Sequence, residues 1–172
     1  GFLAPVIKPV FFVGSELMIT LSVFATFAAG YIIRPIGAII FSHIGDKVGR
    51  KFAFMLTVLL MVIPTLTIGL LPGYEYIGIL APISLILCRL IHGLCSGGEF
   101  SGLIVYVTEF VPQEKLGFFA GIVRSVGFLG TALGTLFASL MTLEFMPSWG
   151  WRVTFIMGAI LTIISFYLRK SM

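Results

Sequence analysis

Charge is scarce in this sequence: Asp, Glu, Lys and Arg make up 10% of its 172 residues. A soluble globular domain is about a quarter charged, so the composition excludes an ordinary soluble domain. Hydrophobic residues account for 59% and the mean hydropathy is +1.14. A hydrocarbon core about 30 Å thick needs roughly 20 apolar residues in a helix, and the uncharged runs 52–74 and 125–143 have that length. The sequence therefore predicts an integral membrane protein.

Cysteine is nearly absent as well. Cys88 and Cys95 are seven residues apart on one predicted helix, about 10 Å of rise, which is too far for a disulfide. With His92 they lie at i, i+4 and i+7 on one helix face, a pattern that could bind a metal. No second helix offers a clear fourth ligand, because His43 lies near a loop. We therefore predict that the protein binds no metal and no cofactor and that it is not an enzyme. A membrane metalloenzyme is the least favoured alternative.

The N-terminus lacks the basic region that a signal peptide has ahead of its apolar stretch. Residues 1–7 resemble the end of a helix, and because the chain begins with Gly1 we expect it to be part of a longer polypeptide. Charges and turn residues divide the rest into five predicted membrane helices, at about 17–42, 53–72, 79–108, 116–142 and 150–168.

Four of the few charges gather in GDKVGRK, residues 45–51. A phosphate-binding loop needs Gly-x4-Gly-Lys-Ser/Thr after a strand, and this stretch has neither. Basic residues outside the spans number six on the side of this stretch and two on the other, which places the predicted loop 43–52 in the cytoplasm. The six are Lys47, Arg50, Lys51, Lys115, Arg169 and Lys170, and the two are Lys8 and Arg152. This bias explains the net charge of +4 without a nucleic-acid partner.

Arg34, Arg89, Arg124 and Glu99 lie inside the predicted spans. A charge at the bilayer centre costs about 2.5–3.5 kcal/mol on insertion scales. Counted along their helices at about 1.5 Å per residue, Arg34, Glu99 and Arg124 lie at one depth in the membrane, roughly 12–14 Å from the cytoplasmic end. At that depth the Glu99 carboxylate could pair with the two guanidiniums. Long arginine side chains that snorkel to the interface are the structural alternative. The functional interpretation is a water-accessible cavity for a charged solute or for protons.

Small residues one helical turn apart predict close helix packing in lipid. Four Gly-xxx-Gly pairs occur on two of the predicted spans, and they favour a multi-helix bundle. The pairs are Gly93/Gly97, Gly98/Gly102, Gly117/Gly121 and Gly130/Gly134.

Four stretches resemble one family. RPIGAIIFSHIGDKVGRK, residues 34–51, resembles the end of the second helix and the following loop of the major facilitator superfamily. Three more, at 89–102, 109–117 and 149–155, are similar to motifs of its metabolite:proton symporter branch, although His92 stands where that branch has Gln. The resemblance implies an all-α integral membrane fold. It would be the N-terminal six-helix bundle of a twelve-helix transporter, with a truncated first helix and a missing C-terminal half.

The resemblance also implies a function. It is secondary active transport at the inner membrane, a proton-coupled symport of a small carboxylate or zwitterionic solute such as proline, betaine or 2-oxoglutarate, by alternating access. Arg34, Arg124 and Arg89 would bind the solute and Glu99 would couple protons. A conformational gate would contain Asp46, Lys47, Gly49, Arg50, Lys51 and Glu109. The alternative is a non-transporting structural membrane subunit, or the product of a decayed or split gene.

Overall fold

The computed structural model describes residues 10–143, 147 and 149–171. The side chains of residues 100, 101, 104–110 and 169–171 lie outside this description, as do residues 1–7 with their predicted partial helix. In the described part the chain is helical and contains no strand. The helices are α1 (Glu16–Ile32), α2 (Arg34–Val48), α3 (Arg50–Leu70), α4 (Tyr74–Ile77), α5 (Leu80–Phe110), α6 (Leu116–Leu140) and α7 (Gly150–Ser171). The predicted all-α class is confirmed.

Five helical segments of the described chain are long and apolar enough to cross a membrane, which fits a multi-pass protein. They contain 33, 21, 20, 28 and 19 residues and are Glu16–Val48, Arg50–Leu70, Leu80–Glu99, Gln113–Leu140 and Gly150–Leu168. The first combines α1 and α2, which are separated by Ile33 alone. Pro35 lies in the first turn of α2, where a missing backbone N–H costs no hydrogen bond.

The prediction that residues 43–52 form a loop is wrong. Helix α2 continues to Val48 and α3 begins at Arg50, so Gly49 alone joins them. Gly49 has φ 118°, a conformation that favours glycine because it has no Cβ. Hydropathy marks where the apolar run ends, and the helix continues past that point because water tolerates its polar last turn.

Helix α5 is the centre of the packing, in contact with α1, α2 and α3, while α3 also packs against α7. A hydrophobic cluster joins the end of α3 to the starts of α5 and α7, and its Phe11 and Trp151 rings meet edge to face with centroids 5.9 Å apart. Its buried members are Phe11, Ile68, Leu71, Ala81, Leu85, Cys88 and Trp151. Helix α6 has few neighbours, which are α5, α7 and the short turn at Gln113–Lys115.

Candidate functional site

Glycines on α5 bring the backbone of α1 and α2 into direct contact with it. A Cβ on Gly93 would overlap the carbonyl oxygen of Gly30, and a Cβ on Gly97 would overlap the carbonyl oxygen of Arg34. The predicted use of the Gly93/Gly97 pair for close packing is thus confirmed. The contact places the break between α1 and α2, and with it Arg34, against the middle of α5.

Two of the predicted solute-binding arginines lie beside this contact, each over an aromatic ring. The guanidinium carbon of Arg34 is 4.0 Å from the centroid of Tyr31. The guanidinium carbon of Arg89 is 4.7 Å from the centroid of Phe27. A cation over an aromatic face is stabilised by the ring quadrupole, more so away from water. The Phe27 ring therefore holds the charge of Arg89 at the interface of α1 and α5, whereas Tyr31 and Arg34 meet within the segment that joins α1 to α2.

His92 lies one turn beyond Arg89 on α5, beside Gly93, which meets the backbone of α1 at Gly30. We call Arg34, Arg89 and His92 the arginine–histidine cluster. Its Arg34 Nε and His92 Nδ1 are buried and have no hydrogen-bond partner among the described residues. The sequence pointed to His92 only as part of a metal-binding face. The other sequence signal at this position is its departure from the Gln of the symporter branch.

A cavity of about 640 Å³ lies between α3, α5, α6 and α7, and His92 lines it. Glu99, two turns further along α5, lines the same cavity. The rest of the wall consists of Val58, Met61, Thr65, Gly127, Gly130, Thr131, Leu161, Thr162 and Ser165. His92 is thus the member of the cluster that the structure places on the cavity wall.

The threonines of the cavity wall present hydrogen-bond acceptors. The hydroxyls of Thr65, Thr131 and Thr162 donate to carbonyl oxygens of their own helices, over 2.7, 3.0 and 2.7 Å. Each hydroxyl oxygen keeps acceptor capacity after its hydrogen is used. The sequence analysis missed these residues, although hydroxyl side chains inside apolar spans were the available signal.

The predicted ligand Arg124 lies on α6, a different helix from those of Arg34 and Arg89. Arg124 is exposed on α6, with its guanidinium carbon 5.3 Å from the centroid of Phe128 on the same helix. Glu99 faces the cavity from α5. The pairing of Glu99 with Arg34 and Arg124 remains a prediction.

The predicted gate residues lie at the corner between α2 and α3. An oxygen of Asp46 is 3.9 Å from a guanidinium nitrogen of Arg50, and both side chains are exposed, as are Lys47 and Lys51. An exposed pair of this kind contributes about 0–1 kcal/mol. Beside it lies a cavity of about 240 Å³ between the corner and α5. Glu109 is on α5, and its side chain lies outside the described part.

The metal alternative finds no support in the arrangement of its residues. Cys88 belongs to the hydrophobic cluster, and Cys95 is buried on α5. Across the part of the chain that the structure describes, no three His, Cys, Asp or Glu side chains are grouped to hold a metal ion.

The sequence profile described as Major Facilitator Superfamily matches residues 1–171. The chain belongs to the major facilitator superfamily. Its helices represent the N-terminal half of that fold. No solved structure matches it.

Relatives of this superfamily chain are named as transporters. The inner membrane metabolite transport protein YhjE of Escherichia coli K12 is 42% identical over 167 residues, which cover 92% of this chain and 37% of the relative. The proline/betaine transporter of Salmonella typhimurium LT2 is 37% identical over 177 residues, covering 100% of this chain and 35% of the relative. A putative proline/betaine transporter of Staphylococcus haemolyticus is 40% identical over 157 residues, covering 87% and 33%. The chain thus spans about a third of the length of these relatives.

Proposed function

We propose that this chain is the N-terminal half of a proton-coupled symporter for a small carboxylate-bearing or zwitterionic solute. Proline and betaine are the first candidates, because two of the similar proteins are named for them. The observation that carries the proposal is the arginine–histidine cluster, where two guanidiniums lie within candidate membrane spans and His92 lines a cavity. Charges in such positions are costly and usually mark a solute or ion pathway.

In the proposed mechanism, this half and a second six-helix half rock against each other around a solute held near the bilayer midplane. Arg34 and Arg89 attract the carboxylate of the solute, since each guanidinium lies over an aromatic ring and the Arg34 backbone meets α5, the helix of Arg89. Arg124 remains a candidate ligand on α6, where it would reach a solute from a different helix.

Glu99 is the proposed proton carrier. It lines the 640 Å³ cavity together with His92 and the threonine oxygens, so water in the cavity would reach its carboxyl group. A proton bound to Glu99 from one side of the membrane and released to the other would couple the proton gradient to solute movement.

The gate of the proposed carrier is the corner between α2 and α3. Asp46 and Arg50, with Lys47, Gly49 and Lys51, would hold the cytoplasmic ends of helices together while the outer side is open, and Glu109 would join them. The positive-inside rule supports the cytoplasmic placement of this corner.

Uptake into proteoliposomes tests the proposal. A full-length carrier containing this chain should accumulate labelled proline, betaine or 2-oxoglutarate when an inward proton gradient is imposed, and a protonophore should abolish accumulation. Glu99→Gln should remove gradient-driven accumulation and preserve solute exchange, because exchange needs no net proton transfer. If neither reaction changes, Glu99 is not the proton carrier.

The structural-subunit alternative makes the opposite prediction. Arg34→Gln, Glu99→Gln and Arg124→Gln combined should then leave the function of the complex intact. Absence of uptake of all three solutes by the wild-type carrier would contradict the transport proposal for this solute class.

A further inference from the structure

We infer that His92 is a specificity-determining residue, which together with Arg34 recognises the carboxylate group of the transported solute. The inference rests on the proposed transport function and adds to it a residue and a chemical group. Its basis is a pair of buried nitrogens without a hydrogen-bond partner among the described residues, Arg34 Nε and His92 Nδ1, on two helices whose backbones touch. Of the two residues, His92 also lines the 640 Å³ cavity.

Unpartnered buried polar atoms are rare in this structure. Among the described side chains three such atoms occur, and two of them are Arg34 Nε and His92 Nδ1. Native proteins pair nearly all buried polar groups with protein or water, and a group left unpaired is costly. Two in one cluster indicate that a hydrogen-bonding partner from outside the described chain completes the site.

The chemistry of the cluster selects an anionic partner. Arg34 Nε can only donate a hydrogen bond, and a neutral imidazole offers one donor and one acceptor. Arg34 and Arg89 carry permanent positive charge on two helices that touch, which opposes a metal cation. A planar carboxylate accepts two parallel hydrogen bonds from a guanidinium fork, and the Tyr31 ring below Arg34 limits how that fork can turn.

The position of His92 makes it the point of access. It is the cluster member on the wall of the 640 Å³ cavity, and we expect a solute that enters the cavity to contact the imidazole first. The guanidiniums attract the carboxylate by their positive charge. The imidazole donates one hydrogen bond to it and thereby orients it. A site built to bond a polar group discriminates strongly against an analogue that lacks it. His92 should therefore decide between a carboxylate and its uncharged amide.

Competition of proline and prolinamide for labelled proline uptake by the full-length carrier tests this inference. For His92→Leu we expect roughly a tenfold weaker apparent affinity for proline, the equivalent of one hydrogen bond, with little change for prolinamide or for the maximal rate. His92→Gln keeps a hydrogen-bonding amide and should restore most of the preference. His43→Gln, on an exposed histidine of α2, is the matched control and should behave as wild type.

A second experiment uses the wild-type carrier and measures whether a bound ligand protects His92 from a reagent that acylates imidazoles. Proline should protect His92 of the wild-type carrier, whereas prolinamide should not, and His43 should be modified equally throughout, as read by mass spectrometry. An equal loss of affinity for both ligands in His92→Leu, or an absence of protection, overturns the inference and leaves transport standing. If the wild-type carrier takes up no solute, the proposed function fails and the inference fails with it.

Discussion

Helices α5 and α6 carry the same small-residue pattern, two Gly-xxx-Gly pairs each, and the structure uses them differently. On α5, Gly93 and Gly97 touch the backbone of α1 and α2 so closely that no Cβ fits. On α6, a Cβ added at Gly117, Gly121, Gly127, Gly130 or Gly134 would meet nothing within 4 Å. The pattern thus predicts that a helix can be approached closely, but it does not identify the helix that approaches.

The predicted solute-binding arginines Arg34 and Arg124 differ in the same way, because one lies against α5 and the other lies on α6. Arg34 is fixed by the contact of its carbonyl with Gly97 and by the Tyr31 ring. Arg124 is on the sparsely packed helix, over a ring of that same helix. A site that distinguishes solutes needs ligands held in place by their neighbours. The α5 side is therefore the stronger candidate for solute recognition.

The largest expected effect comes from breaking the site on the α5 side. Arg34→Gln should weaken carboxylate binding by about 2–5 kcal/mol, because a charge-assisted contact is lost away from water. Arg34→Lys should recover part of the loss, since it keeps the charge without the planar fork. The half-saturation concentration for labelled proline uptake measures both effects.

Arg124→Gln is the comparison on the α6 side, and we expect a smaller loss of affinity from it. An equal or larger loss would show that α6 carries the solute contact. Near-normal uptake in both variants would remove the arginines from the solute site and leave them as structural residues.

The second largest effect concerns packing on α5. Gly97→Ala places a methyl group on the Arg34 carbonyl, so the two helices must separate. Overpacking of this kind costs about 1–3 kcal/mol, and the obstacle here is backbone, which cannot move aside as a side chain can. We expect a lower midpoint of thermal unfolding in detergent. Gly93→Ala should act similarly because it meets Gly30, and wild-type stability in both variants would contradict the observed contact.

The sequence predicted the all-α class and the superfamily because hydropathy, basic-residue bias and motif order are local properties of the chain. It did not predict the break at Ile33 or the single-residue corner at Gly49. Hydropathy stays high at Ile33 and has already fallen at Gly49, so neither position is marked by a change in polarity. Backbone geometry determines where both helices end.

For the candidate site, the sequence identified the charges by their cost in a membrane but not their grouping. Equal depth suggested that Arg34, Glu99 and Arg124 share one site. The structure places Arg34 against the middle of α5, the helix that also carries Arg89 and His92, because the glycines of α5 meet the backbone at the α1–α2 break. Depth can be counted along one helix, whereas the rotation of each helix about its axis depends on its neighbours.

A smaller effect is expected at the charged corner. Asp46→Asn removes the carboxylate that lies 3.9 Å from the Arg50 guanidinium. Because the pair is exposed, stability should change by less than about 1 kcal/mol, while the inward-open population of the full-length carrier should rise. Labelling of an introduced cysteine from the cytoplasmic side reports that population. Unchanged labelling would leave Asp46 without a gating role.

The smallest expected effect tests whether the glycines of α6 differ from those of α5 in their packing. Gly121→Ala on α6 adds a methyl group that has no atom of the described residues within 4 Å, so no contact in the described part of the chain opposes it. Alanine is favoured over glycine inside a helix by about 1 kcal/mol or less, and the substitution should leave the stability of the 172-residue chain unchanged or slightly raised. Thermal unfolding of Gly121→Ala beside Gly97→Ala, in the same detergent, measures the difference. A loss from Gly121→Ala as large as that from Gly97→Ala would mean that the α6 glycines are in close contact with another helix, and the contrast between α5 and α6 would no longer hold.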